Sequence, residues 1–368
     1  MSGTQLKNNK KIYLIIDSLD IGGAEKSVLD LQKKLSASHE VKIFVLKGNV
    51  EKYYSSDYVV YLGSTRIFSL NTFVRLIKLI KNSKKRETIF ISFAPEVAVA
   101  VNLALLLSFK KRINSSLVSF RNSPKFYKDR SGLYKFLLYF AVVNYCDGLH
   151  FLTNSNAKEY NLEFDRLRIS NIKKHVVIPN HLRNYNQFED FKHDKEVIIF
   201  VGRLHPQKQP FDFVEFVSML EQSFPNKYRY KMLGEGSLRV ALQKKIYESK
   251  LSSKISILGK VENINDFYRE ASHMIVTSDF EGHPGAIFEA IQSGVRVISY
   301  PYDDWICDFF SKLNGSHVCE TRTPESLFQV FIQHKNDLID PKEDIQFIEK
   351  ELSESKLTQN WLNFLDQF

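Results

Sequence analysis

The chain has 368 residues, 43% hydrophobic and 25% charged, with a formal net charge of +9. That length exceeds one ordinary core and fits two domains, and the composition excludes disordered and fibrous classes. The longest apolar stretches, 97–109 and 136–143, are too short to cross a bilayer core of about 30 Å, and the first seven residues lead into no apolar signal segment.

Apolar, β-branched runs alternate with helical patterns, which is the signature of parallel α/β architecture. In the first half the runs predict strands at 11–17, 41–47, 59–62, 88–93, 117–120 and 149–153. Helical patterns fall between them near 24–37, 70–81, 96–109, 133–145 and 155–169. A second series begins with strands at 197–201, 228–233, 255–258, 273–277 and 295–300, and helices near 210–221, 237–249, 264–270, 286–293 and 324–335. Between the two lies a polar stretch, 183–194, with few aliphatic residues. The expected division is therefore a first doubly wound domain over 1–182, a second over 183–350, and a C-terminal helix over 351–368 that packs back toward the first. Cys146, Cys307 and Cys319 match no metal or redox spacing and are expected to be buried small residues in a reducing cytoplasm.

Charge is unevenly spread. Residues 1–190 hold 30 lysines and arginines against 16 acids, and residues 191–368 hold 21 against 26. The excess gathers in 75–86, in Lys110, Lys111 and Arg112, and in 121–130. A basic first half implies an anionic partner such as a membrane surface, an acidic or phosphate-linked substrate, or nucleic acid. Leu76, Ile77, Leu79 and Ile80 interleave with Arg75, Lys78 and Lys81, as in an interfacial amphipathic helix. An ordinary core helix with a solvated lysine face would read the same way.

In parallel sheets of this kind ligands bind at the carboxyl ends of the strands, and the unusual turn chemistry lies there. Gly22 and Gly23 open the first helix, where they allow close backbone approach or simply a tight turn. Arg203 follows the first strand of the second series, and Lys208 comes five residues later, beyond Pro206. The two can converge on one diphosphate, Arg as a fork and Lys as a point charge. Gly234-Glu235-Gly236 supplies a strand-to-helix turn. The most informative segment runs through Glu281, Gly282, His283, Pro284, Gly285, Ala286, Ile287 and Glu289. Glu281 sits on a loop and Glu289 about one turn inside the next helix, whose unpaired N–H groups and dipole suit phosphate. Carboxylates bind vicinal hydroxyls well, so the pattern fits a sugar nucleotide. A helix with acids near its start is the plainer alternative.

Taken together, Gly22-Gly23-Ala24-Glu25, Ile178-Pro179-Asn180, Val201-Gly202-Arg203-Leu204 with Lys208, Gly234-Glu235-Gly236 and the Glu281/Glu289 pair resemble glycosyltransferase family 4 over nearly the full length. The resemblance implies the GT-B fold: two Rossmann-like domains, with parallel sheets, facing a cleft. It implies a retaining transferase that takes a sugar from a nucleotide sugar, usually uridine diphosphate-linked, bound mostly on the C-terminal domain. Arg203 and Lys208 would hold the diphosphate and stabilise it as it leaves, with Glu289 on the ribose. Glu281, with the backbone from Gly282 and His283 through Pro284, Gly285, Ala286 and Ile287, would position the transferred sugar. Gly22 and Gly23 would approach the diphosphate from the other domain, Gly234 would border the donor, and Arg121 would stand on the acceptor side. The resemblance favours same-face attack, in which the leaving phosphate takes the acceptor's proton.

No Asp-x-Asp occurs in the chain, consistent with a metal-independent site and no cofactor besides the nucleotide-sugar substrate. His283-Pro284 replaces the family's usual Phe-Gly, and 301–305 lacks its glycine-rich turn, which leaves the donor sugar open. The acceptor class implied is a saccharide or lipid-linked saccharide used in bacterial surface polysaccharides such as capsule or lipopolysaccharide. The expected setting is cytoplasmic, or peripheral at the inner face of the plasma membrane through the basic first domain. Two other readings stay open: a non-catalytic partner subunit and a sugar-nucleotide epimerase on the same fold. Nucleic-acid binding rests on electrostatics alone, because the basic segments have few interleaved aromatics and no recognisable module.

Overall fold

The computed structural model describes residues 10–19, 23–48, 56–63, 69–83, 88–111, 114–170, 174–182, 196–337 and 340–368. The chain divides into two units, Met1–His181 with Glu354–Phe368, and Leu182–Ser353. The polar stretch 183–194 lies outside the described residues.

The first unit is a seven-stranded parallel sheet. Its strands are β1 (Lys11–Ile16), β2 (Glu40–Val45), β3 (Val59–Tyr61), β4 (Thr88–Ser92), β5 (Ser115–Phe120), β6 (Gly148–Phe151) and β7 (Lys174–Val177), in the order β3-β2-β1-β4-β5-β6-β7. The inner strands β1, β4, β5 and β6 are buried along nearly their whole length because helices cover the sheet. Those helices are α1 (Gly23–Leu35), α2 (Leu70–Asn82), α3 (Pro95–Leu107), α4 (Gly132–Tyr145) and α5 (Asn154–Arg166). β7 was not expected: Lys174 and His175 are exposed, so this edge strand lacks the apolar run that marks the others. In α2, Thr72, Leu76 and Ile80 are buried, and Arg75 Nη1 donates to Leu62 O at 3.1 Å. Its apolar stripe is thus core, with Lys78 and Lys81 exposed beside it.

The second unit repeats the topology with six parallel strands. They are β8 (Val197–Val201), β9 (Arg229–Leu233), β10 (Ile255–Gly259), β11 (His273–Val276), β12 (Arg296–Ser299) and β13 (His317–Val318), in the order β10-β9-β8-β11-β12-β13. The helices are α6 (Pro210–Ser223), α7 (Arg239–Glu248), α8 (Asn265–Glu270), α9 (Gly285–Gln292), α10 (Asp304–Phe310), α11 (Pro324–His334) and α12 (Pro341–Glu351). The core gathers Phe200, Phe213, Phe216, Tyr230, Tyr300 and Phe331. β13, α10 and α12 were not expected: two residues make no strand pattern, and α10 has only seven. Cys146 and Cys319 are buried, but Cys307 is exposed, contrary to expectation. It lies on the solvent side of α10, whose buried residues are Ile306, Phe309 and Phe310.

The final helix, α13 (Glu354–Leu365), belongs to the first unit. It buries Leu357, Trp361, Phe364 and Leu365, pairs Glu354 with Lys34 on α1, and sets Trp361 against His150 with ring centroids 4.4 Å apart.

Candidate functional site

In the second unit the strand order reverses direction at β8, whose neighbours are β9 and β11. Such a switch point leaves a crevice at the carboxyl ends of the strands. The loops after β8, β9 and β11 all emerge there, and they carry the expected residues.

The loop after β9 presses on the loop after β8, backbone against backbone. Gly234 has φ +144°, and a Cβ there would come within 1.9 Å of Gly202 O. A Cβ on Gly236 would meet Leu204 O at 2.3 Å. Leu204 N donates to Glu235 O at 3.0 Å, and Leu238 N donates to Leu204 O at 2.9 Å. The glycines therefore set the path of the chain that carries Arg203, and Gly234 is first of all a packing residue. Arg203 itself is exposed.

After Arg203, a short 3-10 turn, Pro206–Lys208, is capped by His205 and laced to the segment after β11. Asp279 N donates to Gln207 O at 2.8 Å, Gln207 Nε2 donates to Phe280 O at 2.9 Å, and Thr277 Oγ1 donates to Lys208 O at 2.6 Å. Lys208 Nζ forms an ion pair with Glu281. Glu281 is 9% exposed, so this pair is largely shielded from solvent screening. An ammonium has three donors, so two remain for a ligand while one holds Glu281. Arg322, which the sequence did not single out, pairs with Asp279 and braces the same loop.

Glu289 lies one turn inside α9, 6% exposed, and accepts from Tyr268 OH at 3.3 Å through Oε2. Its Oε1 lies 3.8 Å from where a Cβ of Gly285 would sit, so this carboxylate reaches back to the helix start. The amides there are partly committed: Gly285 N bonds His283 O and Ile287 N bonds Pro284 O, each at 3.0 Å. Ala286 N has no backbone partner among the described residues. The His283 ring stacks on Phe288 at 4.8 Å and lies 5.4 Å from Trp305. Gly282 and Pro284 are buried beside it. Tyr302 is fully buried, and burial first, then Asp303 and Glu281, push its hydroxyl pKa well above the ordinary value. It stays a neutral phenol near the acids.

The structure thus brings Lys208 and Glu281 into direct contact, with Arg203 on the same loop as Lys208 after β8 and Glu289 one turn inside α9, the helix that follows β11. A fork cation, a point cation and two shielded carboxylates beside a helix N-terminus form a set that can hold a phosphate-linked polyol.

In the first unit, Gly22 lies outside the described residues and Gly23 opens α1, where an added Cβ would meet no described atom within 4 Å. Arg121 follows β5, and its guanidinium bonds Ser27, Asn180 and, at 3.5 Å, Ser119 Oγ. It also covers the Phe93 ring at 5.5 Å. Burial pulls its pKa down to about 10 against the opposing pull of Glu25. Nearby, His150 Nε2 donates to Ile178 O at 2.8 Å, which leaves Nδ1 to accept from Ser119 Oγ at 2.8 Å. Burial, then Arg121, pull the His150 pKa to about 3. These side chains surround a cavity of about 10 Å³ with Asn180 and Trp361, room for a single water. Arg121 is thus built into an internal network that joins β5, β6 and the Ile178-Pro179-Asn180 segment.

Among the described residues no helix is long and apolar enough to cross a membrane.

Comparison with known proteins agrees with this picture. Residues 183–345 match the family described as Glycosyl transferases group 1. A Campylobacter jejuni protein, GalNAc-alpha-(1->4)-GalNAc-alpha-(1->3)-diNAcBac-PP-undecaprenol alpha-1,4-N-acetyl-D-galactosaminyltransferase, is 27% identical over 303 residues, 79% of each chain. The Staphylococcus aureus capsular polysaccharide biosynthesis glycosyltransferase CapH is 25% identical over 78% of this chain and 81% of its own. Among solved structures, Anabaena HepE in complex with UDP and glucose aligns with a TM-score of 0.79 at 12% identity, over 98% of this chain and 100% of its own. A point mutant of S. aureus TarM in complex with Fondaparinux, alpha-GlcNAc-glycerol and UDP aligns at 0.77 and 12% identity, over 96% and 99%. The fold is GT-B.

Proposed function

We propose that this chain, whose residues 183–345 match the group 1 glycosyltransferases, moves a sugar from a uridine diphosphate sugar to a saccharide or lipid-linked saccharide, with retention at the anomeric carbon, in the synthesis of a bacterial surface polysaccharide. The observation that carries this reading is the Lys208–Glu281 pair at the switch point, with Arg203 earlier on the Lys208 loop and Glu289 reaching back to the start of α9. The S. aureus relative is named for capsular polysaccharide biosynthesis, the C. jejuni relative for adding N-acetylgalactosamine to an undecaprenol-linked saccharide, and the HepE and TarM structures hold UDP.

In this reading Arg203 and the remaining Lys208 donors take the diphosphate, and the Ala286 amide and the α9 dipole add to them. Negative charge grows on the leaving diphosphate as the glycosidic bond breaks, so cations already in place stabilise the transition state more than the ground state. Glu289, oriented by Tyr268, accepts from the ribose hydroxyls. Glu281, held by Lys208, faces the transferred sugar and orients its hydroxyls. The acceptor hydroxyl attacks on the side the diphosphate leaves, and its proton passes to the departing phosphate oxygen. No metal and no cofactor takes part in this scheme.

Arg203→Ala and Lys208→Ala should each lower turnover by at least about a hundredfold, the scale of losing one transition-state charge partner. Product formation from a panel of nucleotide sugars measures this, and near wild-type rates in both variants would refute the assignment. In the proposal the acceptor reaches the first unit from an anionic membrane surface. Leu103, Leu106 and Leu107 on α3 and Leu133, Leu137 and Phe140 on α4 are exposed on packed neighbouring helices, within the basic half of the chain.

A further inference from the structure

Far along the chain from the residues assigned above, the edge strand β13 and the end of α11 bring His317, His334 and Asp337 together. One ligand atom from each lies within 4.8 Å of the others, and all three residues are half-buried. The two imidazoles stack face to face with centroids 3.7 Å apart and planes 19° from parallel. His334 Nδ1 is 2.8 Å from Asp337 Oδ2. His317 Nε2 is buried with no hydrogen-bond partner among the described residues, an expensive state for a ring nitrogen.

We propose that His317, His334 and Asp337 form a binding site for a divalent transition-metal ion of the zinc class, which ties β13 to the end of α11. Two imidazoles and a carboxylate are a borderline donor set that suits zinc. An imidazole nitrogen binds a metal in the plane of its ring, and tetrahedral coordination wants ligand atoms about 3.3 Å apart, so one of the two stacked rings turns out of the stack when the ion binds. Arg296 opposes the ion, with its Nη1 3.2 Å from His334 O. Asp337 and Asp344 supply the compensating charge; both act on His317 in the direction opposite to Arg296. β13 has two residues and pairs on one side only, so a clip to α11 fixes an edge that hydrogen bonds hold weakly. The role is structural and independent of the proposed transfer reaction.

The test uses the full chain without a histidine tag, washed with chelator and titrated with cobalt(II). The expected result is uptake of one ion, with the visible absorption of a tetrahedral site that zinc(II) then abolishes. His317→Ala and His334→Ala should weaken cobalt binding by more than the roughly 10–100-fold that loss of an outer-shell partner costs. His317→Gln, closer in size, should do the same while circular dichroism shows the fold kept. Zinc should raise the thermal midpoint of the wild type by mass action and leave that of the variants unchanged. Cobalt binding of equal strength in the wild type and His317→Gln, or no uptake by the wild type at micromolar ion, would overturn the proposal.

Discussion

Lys208 and Glu281 are 73 positions apart and meet only because β8 and β11 are neighbours in the sheet. The acid fixes the lysine's position before any ligand arrives, and pre-placed charge costs little reorganisation during reaction. At Gly234 the constraint is steric. Gly234→Ala puts a methyl into Gly202 O and forces an unfavourable φ, so a loss of at least about 2 kcal/mol in the stability of the second unit is expected. A denaturation midpoint with unchanged m value measures it, and a neutral outcome would mean that the two loops do not press together as described. The types and order of the site residues could be read from the sequence, because each follows an apolar strand. Their partners could not: neither the ion pair nor the Arg322–Asp279 brace has a local signal. The same holds for Tyr268 beside Glu289, where the partners are 21 positions apart.

Among the elements, those with long apolar patterns were legible and those defined by their neighbours were not. β1, β4 and β8 announce themselves because both faces are covered. β7 and β13 are edges, short or half-polar, and exist as strands only through pairing with β6 and β12. α12 carries acids and lysines on most of its surface and buries only Asp344, Ile345 and Ile348. The element that holds β6 to its surroundings has a pH consequence. His150 is neutral in the fold, with a pKa near 3 against an ordinary value of 6.5. Between these values the unfolded chain binds a proton that the folded chain refuses, so stability falls as pH drops through that window. The slope is about 1.4 kcal/mol per pH unit for one such group. His181, lowered to about 4 by burial first, adds in the same direction. Urea midpoints from pH 7 to 4 should decline more steeply in the wild type than in His150→Gln. Parallel profiles would show that His150 is not the group responsible.

At the scale of the whole molecule, charge asymmetry and connectivity matter most. The basic first half and the exposed leucines of α3 and α4 predict binding to anionic vesicles that weakens steeply with salt, since exposed charges are screened within about 8 Å at physiological ionic strength. Flotation at low and high salt checks this, and absence of binding at low salt would remove the membrane from the proposal. Residues 354–368 complete the first unit. Four buried apolar side chains, at about 1.5–3 kcal/mol each, are on the scale of a domain's entire stability. Deleting that segment should therefore unfold the first unit and spare the second, as limited proteolysis followed by mass spectrometry would show.

Because ribosomes build proteins from the amino end, that arrangement imposes a schedule. The later half has all its strands and helices while the earlier half still waits for its last helix, so during synthesis the Gly148 surface that Phe364 and Phe368 will cover stays bare. A nascent chain of this protein thus carries an unfinished apolar surface on its first unit until residues 354–368 have emerged, and chaperones that bind such surfaces would meet it there.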